Sequence, residues 1–167
     1  MNRNEGHKSG IDRRDRLIKE EIHDPYMMRS KPTEPTVCPD CGVVFAGGRW
    51  QWQEERPRGA TEELCPACQR TREKMPAGIL TLSGEFFVAH RDEILRLVHN
   101  KVEGQKAQHP MKRLMAIEDQ ADGSTVITFT DTHLPRGTGQ AITRAYEGEL
   151  DIQYTEEASL VRVYWQR

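Results

Sequence analysis

Cys38, Cys41, Cys65 and Cys68 are the residues with the most specific chemistry in this chain. They form two Cys-Pro-x-Cys pairs, CPDC and CPAC, with 23 residues between them (42–64). Two residues between paired cysteines let both sulfurs face one ion, and four thiolates close a tetrahedral site. The pattern predicts one structural Zn2+ held by all four cysteines. Sulfur then fills every coordination position, so the ion is a staple for a segment too small to build its own core, not a catalyst. A second reading treats each pair as a redox dithiol. Such a motif belongs beside a βαβ pattern, and neither pair has one. The loop exceeds the roughly 15–20 residues usual between ribbon knuckles, which predicts a two-stranded ribbon with a long tip.

The loop between the pairs carries the next candidates. Gly48-Arg49-Trp50-Gln51-Trp52-Gln53 alternates, which places both tryptophans on one face of a strand. They are expected to pack over the knuckles or the next domain, or to leave one ring as a stacking surface for a base. Arg70 and Arg72 follow the second pair. With Arg49, Trp50 and Trp52 they form the candidate surface for RNA or another partner. No G-x-x-x-x-G-K-[ST], G-x-S-x-G or H-E-x-x-H occurs, and none of the six histidines sits at ligand spacing with a cysteine or carboxylate cluster. No catalytic residue is assigned, and the chain is expected not to be an enzyme.

The 167 residues hold one medium domain, or a small domain plus a module. Charged residues make up 30% and mean hydropathy is −0.76, polar for a packed chain. The net charge of −2 argues against a non-specific polyanion binder, so nucleic acid would have to be met by local patches. No apolar run approaches the roughly 20 residues of a membrane span. Residues 1–8 lack the apolar core of a secretory signal, so a cytoplasmic location is expected.

Three segments are predicted. Residues 1–37 form an N-terminal arm and linker, with a weak apolar stripe at Ile11, Leu17, Ile18 and Ile22. Its Tyr26, Met27 and Met28 either fold back or dock on a protein partner. Residues 38–75 are the zinc ribbon. Residues 76–167 read as β-α-β-β-α-β-β, the order of a ferredoxin-like sheet with an added edge strand. The first helix there is expected to be capped by Ser83 and to bury Phe87, Ile94, Leu97, Val98 and Val102. Asp131 or Thr132 is expected to cap the second helix, with Pro135 in its first turn. Gly137-Thr138-Gly139 predicts close helix–sheet packing. The fold class is therefore α+β, a four-cysteine ribbon followed by a small ferredoxin-like domain.

CPDCGVVFAGGRW followed by CPACQRTREKMPAGILTLSG resembles the zinc-binding region of the nonsense-mediated-decay protein three family, adaptors for export of the large ribosomal subunit. STVITFTDTHLPRGTGQAI and the closing LVRVYW are similar to that family as well, so the likeness covers roughly residues 36–167. The resemblance implies zinc on Cys38, Cys41, Cys65 and Cys68, and a general association with the ribosome or ribosomal RNA. Family members carry further CxxC pairs upstream and additional β-domains. This chain has two pairs, so it resembles a compact, prokaryotic-type relative and export activity is not carried over. The function expected is a non-enzymatic zinc-binding protein associated with the large subunit or structured RNA. The rivals are a zinc-stabilised protein–protein adaptor and a thiol redox protein.

Overall fold

The structure is a computed structural model and describes Tyr26 and residues 30–155 and 159–167. Met27, Met28 and the stripe Ile11, Leu17, Ile18 and Ile22 lie outside the described residues. Short strands dominate the first part of the chain: β1 (Thr36–Val37), β2 (Val44–Ala46), β3 (Arg49–Gln51) and β4 (Thr61–Glu62), followed by helix α1 (Pro66–Glu73). Their order in the sheet is β3-β2-β1-β4, with β4 parallel to β1 and the other pairs antiparallel. Four strands thus stand where a two-stranded ribbon was expected. The tip returns Thr61 and Glu62 alongside Thr36 and Val37, which lie immediately before the first knuckle. Gly47 and Gly48 turn β2 into β3 with positive φ at both (59° and 77°), the two-residue hairpin geometry that glycine favours. The Glu34 carboxylate accepts from both glycine N–H groups, at 3.1 and 2.8 Å.

The second part contains β5 (Gly78–Ser83), α2 (Glu85–Ala89), α3 (Arg91–Gln108), β6 (Leu114–Asp119), β7 (Thr125–Phe129), α4 (His133–Tyr146), β8 (Glu149–Thr155) and β9 (Leu160–Gln166). This is the expected β-α-β-β-α-β-β order, with its helical run broken at His90, and the protein is α+β. Strand order is β6-β7-β5-β9-β8. The last strand does not join the edge. It enters between β5 and β8, parallel to β5, and β8 takes the edge. The side chains account for this. Val161, Val163 and Trp165 of β9 are all buried, as suits a central strand. In β8 only Leu150, Ile152 and Thr155 are even half-buried, and Tyr154 is exposed. Leu80, Leu82, Ile127, Phe129, Val163 and Trp165 form one core with Phe87 of α2, Ile94, Leu95, Val98 and Val102 of α3, and Ile142 of α4.

Ser83 does not cap α2. The N-cap is Gly84, at φ 105°, and no side chain bonds there. Backbone from the far end of the chain takes that role: Phe87 N donates to Arg167 O at 3.1 Å, and Arg167 N donates to Ser83 O at 3.1 Å. A Cβ on residue 84 would lie 2.1 Å from Arg167 O, so only glycine lets Arg167 approach. Helix α4 is started by Asp131, whose Oδ1 accepts from His133 N at 2.8 Å and Leu134 N at 2.7 Å. Gly139 brings α4 onto the sheet, where a Cβ would meet Leu150 and Val163 at 2.8 and 2.9 Å.

Arg91, at the start of α3, grips Asp119 at the end of β6, with Nη2 donating to both carboxylate oxygens at 2.9 Å. Thr125 Oγ1 donates to the same carboxylate at 2.7 Å. The Thr125 hydroxyl first, and the Arg91 guanidinium second, hold the Asp119 carboxyl below the usual carboxylate range. A folded-state pKa below the unfolded value of about 3.9 means that this contribution is present above that value. It fades as pH falls through the folded pKa. Thr125→Val is expected to raise the pKa of Asp119 in a carboxyl NMR titration. An unmoved titration would show that the hydroxyl does not act on it.

Among the described residues, no helix is long and apolar enough to cross a membrane.

Candidate metal centre

Local sequence builds both knuckles. In the first, Gly42 at φ 79° turns the chain so that Gly42 N donates to Cys38 O and Cys38 N donates to Val43 O, both at 2.9 Å. In the second, Cys65 is the N-cap of α1 and Pro66 occupies the first turn, where a missing N–H costs nothing. Cys68 N donates to Cys65 Sγ at 3.4 Å, and Cys65 N donates to Cys38 Sγ at 3.3 Å. The positive end of α1 therefore faces the sulfurs and favours thiolate there.

The four Sγ atoms lie within 4.8 Å of one another, and all four cysteines are free of disulfides. Cys41 and Cys65 sulfurs are 3.8 Å apart. A tetrahedron with metal–sulfur bonds of about 2.3 Å, the Zn–S length, has sulfur–sulfur edges of about 3.8 Å. The four cysteines are arranged to bind one metal ion. In the metal-free chain burial works against ionisation of Cys38, but N–H groups of Cys65, Cys41 and Asp40 outweigh it and bring the thiol down to about 7. Burial pushes the Cys65 thiol far up and the Cys68 thiol up to about 11. Metal binding must displace those protons.

The centre has a further member that spacing does not reveal. Arg113, from the loop between α3 and β6, is buried, and its guanidinium reaches three of the cysteines. Nη1 donates to Cys68 Sγ at 3.2 Å, and Nη2 donates to Cys41 Sγ at 3.2 Å and Cys65 Sγ at 3.7 Å. Its Nε donates to Pro110 O at 2.8 Å. Burial opposes the charge of Arg113, but the hydrogen bond to Cys41 and the sulfurs of Cys65, Cys41 and Cys68 outweigh it, so its pKa is raised. In sequence it is one of two adjacent cations before a strand, and nothing local ties it to cysteines 45 and 72 residues away.

The five residues proposed for partner binding go to different places. Trp52 is fastened to the second domain: its Nε1 donates to Lys106 O at 2.9 Å, and Arg113 lies 5.4 Å from its ring centre. Trp50 packs edge-on against Phe45, with ring centres 5.3 Å apart, and joins the cysteine core with Val43, Ala67 and Met111. The two tryptophans thus serve the knuckles and the next domain respectively. Arg72 crosses between knuckles and grips Asp40, with Nε donating to Oδ2 at 2.7 Å and Nη2 to Oδ1. Arg70 is buried, donates from Nη1 to Met75 O at 3.0 Å, and stacks 4.3 Å over the Tyr26 ring. The Tyr26 hydroxyl donates to the Glu73 carboxylate, so this residue of the arm folds back onto α1. Arg49 is exposed.

Arg49, Trp50 and Arg70 nevertheless share one groove of about 630 Å³ between the two parts of the chain. Gln108–Lys112, Thr130 and Asp131 line it as well. Trp50 Nε1 is buried and has no hydrogen-bond partner among the described residues. Comparison with models of protein families, with curated proteins and with solved structures finds no match, and the chemistry of the centre and of the groove rests on their own geometry.

Proposed function

We propose that the metal is zinc and that the protein is a non-enzymatic, zinc-stapled binding protein whose groove takes a segment of structured RNA, as on the large ribosomal subunit. The observation that carries this reading is the meeting of Arg49, Trp50, His109 and Lys112 on one groove. Arg49, which is exposed, and Lys112 offer cations to the phosphates of a nucleic-acid strand, and the half-buried Trp50 ring lines the same groove beside a base. The acidic member of the wall, Asp131, is already engaged at the α4 N-terminus. A chain with a net charge of −2 needs such a local patch to hold a polyanion. Four sulfur ligands support a structural ion, since they leave no open position for a reaction.

Two measurements test the reading. Metal analysis of the purified protein is expected to give one zinc per chain, with none of the visible absorption of an iron–sulfur centre. Co-sedimentation with ribosomes from lysate is expected, weakening steeply with salt. Arg49→Glu and Lys112→Glu are expected to weaken binding and to reduce the salt slope by about one each. Migration in light fractions at every salt concentration would overturn the RNA reading. Salt-insensitive association with a protein would favour the adaptor.

A further inference from the structure

We propose that Arg113 is the counter-ion of the metal–thiolate centre, and that metal loading through Arg113 seats the ribbon on the α/β domain and shapes the groove between them. The proposal rests on the zinc reading above but not on the identity of the groove's ligand. A divalent ion with four thiolates leaves an excess of two negative charges in a largely buried site. Such charge calls for a cation or several N–H donors close by. Within the ribbon these sulfurs accept from backbone N–H groups, among them those of Cys65 and Cys68. The positive charge comes from the other domain, as a guanidinium fork at 3.2 Å from two sulfurs and 3.7 Å from a third.

The same residue organises the groove wall. Arg113 Nε holds Pro110 O at 2.8 Å. Arg113 N donates to Thr130 Oγ1 at 2.9 Å, and that hydroxyl donates to Met111 O at 2.7 Å. Pro110, Met111, Lys112 and Thr130 all line the groove. The sulfurs therefore fix the guanidinium, and the guanidinium fixes the loop. Without the anionic centre, Arg113 is a buried cation facing thiols, an arrangement that favours separation of the two parts. Linkage makes the effect reciprocal: whatever docking contributes to metal affinity, the metal contributes to docking.

The test uses the full chain and zinc alone. Zinc affinity is measured by competition with a chromophoric chelator, and docking is followed by the indole N–H signal of Trp52, which marks the contact with Lys106. Arg113→Gln is expected to weaken zinc binding about 10- to 100-fold and to shift the Trp52 signal even at saturating zinc. Arg113→Lys, which keeps charge but loses the fork, is expected to fall between the two. Arg72→Gln breaks the surface pair with Asp40 and is expected to stay within about twofold of wild type. Chelation of the wild type should move the Trp52 signal as well. Zinc affinity within twofold in Arg113→Gln, or an unmoved Trp52 signal on chelation, would overturn the proposal. Where Arg113→Gln does not fold, Arg113→Lys decides: weakened affinity supports the counter-ion role and unchanged affinity removes it. Absence of zinc from the purified protein would instead defeat the zinc reading itself.

Discussion

Stripping the metal with a chelator is expected to unfold residues 38–75 and to leave most of 76–167 folded. The first part has little else to hold it. Its strands are two or three residues long, and its buried apolar side chains are few: Val43 and Ala67 among the cysteines, Val37, Val44 and Phe45 on β1 and β2, and Trp50 and Leu64 at the margin. Fixing that backbone costs about 1–2 kcal/mol per residue, which so small a core cannot offset. Structural zinc in small modules contributes an apparent 10–16 kcal/mol or so of binding free energy that is at the same time folding free energy. The second part has a separate core running from Leu80 to Trp165. Hydrogen exchange should therefore lose protection in 38–75 and keep it in β5, β7 and β9. Cys65→Ser is expected to do the same without chelator, because Cys65 is one of the four clustered thiols, is fully buried and caps α1. Thiol titration should count four reactive groups only after chelation. Unchanged circular dichroism with four titratable thiols in the metal-free protein would contradict the staple.

Trp165→Ala is expected to have the largest effect on the second part, a loss of about 3–5 kcal/mol. Trp165 is among the largest fully buried side chains, and it sits on β9, which pairs with both β5 and β8. Truncation leaves a cavity at the middle of the sheet. It also removes the 2.8 Å hydrogen bond from Trp165 Nε1 to Glu147 O, which fastens the end of α4. For a unit of about 90 residues this corresponds to a fall in Tm on the order of 20 °C. Trp165→Phe should cost less, since it keeps most of the volume. Urea unfolding of the metal-loaded variants measures both. A change below about 1 kcal/mol in Trp165→Ala would place the ring outside the core.

The metal ligands were legible because their signal is local. Two Cys-Pro-x-Cys pairs define a donor set wherever the rest of the chain goes, and Pro66 already marks the helix that starts on Cys65. Asp131 and Pro135 announce α4 for the same reason, and the alternation of Val161, Val163 and Trp165 announces a strand. What alternation does not encode is the neighbour. Leu150, Ile152 and Tyr154 alternate as well, and either strand could have taken the edge. Burial decided it, because the all-apolar inner face of β9 releases more free energy in the centre than the partly polar β8. Gly84 is a second case. Its sequence neighbours suggest a cap at Ser83, yet the residue that needs the glycine is Arg167, at the other end of the chain.

Arg113 is the clearest. By itself the sequence determined that four sulfurs would gather, that an α+β domain would follow, and the order of its strands and helical runs. Tertiary structure alone decided that a cation 45 residues beyond Cys68 would face those sulfurs, and that Arg49, Trp50 and Arg70 would meet Lys112 on one groove. The physical reason is range. Knuckles, caps and strand periods depend on residues a few positions apart, whereas a counter-ion and a groove exist only after two separately legible units have buried their surfaces against each other.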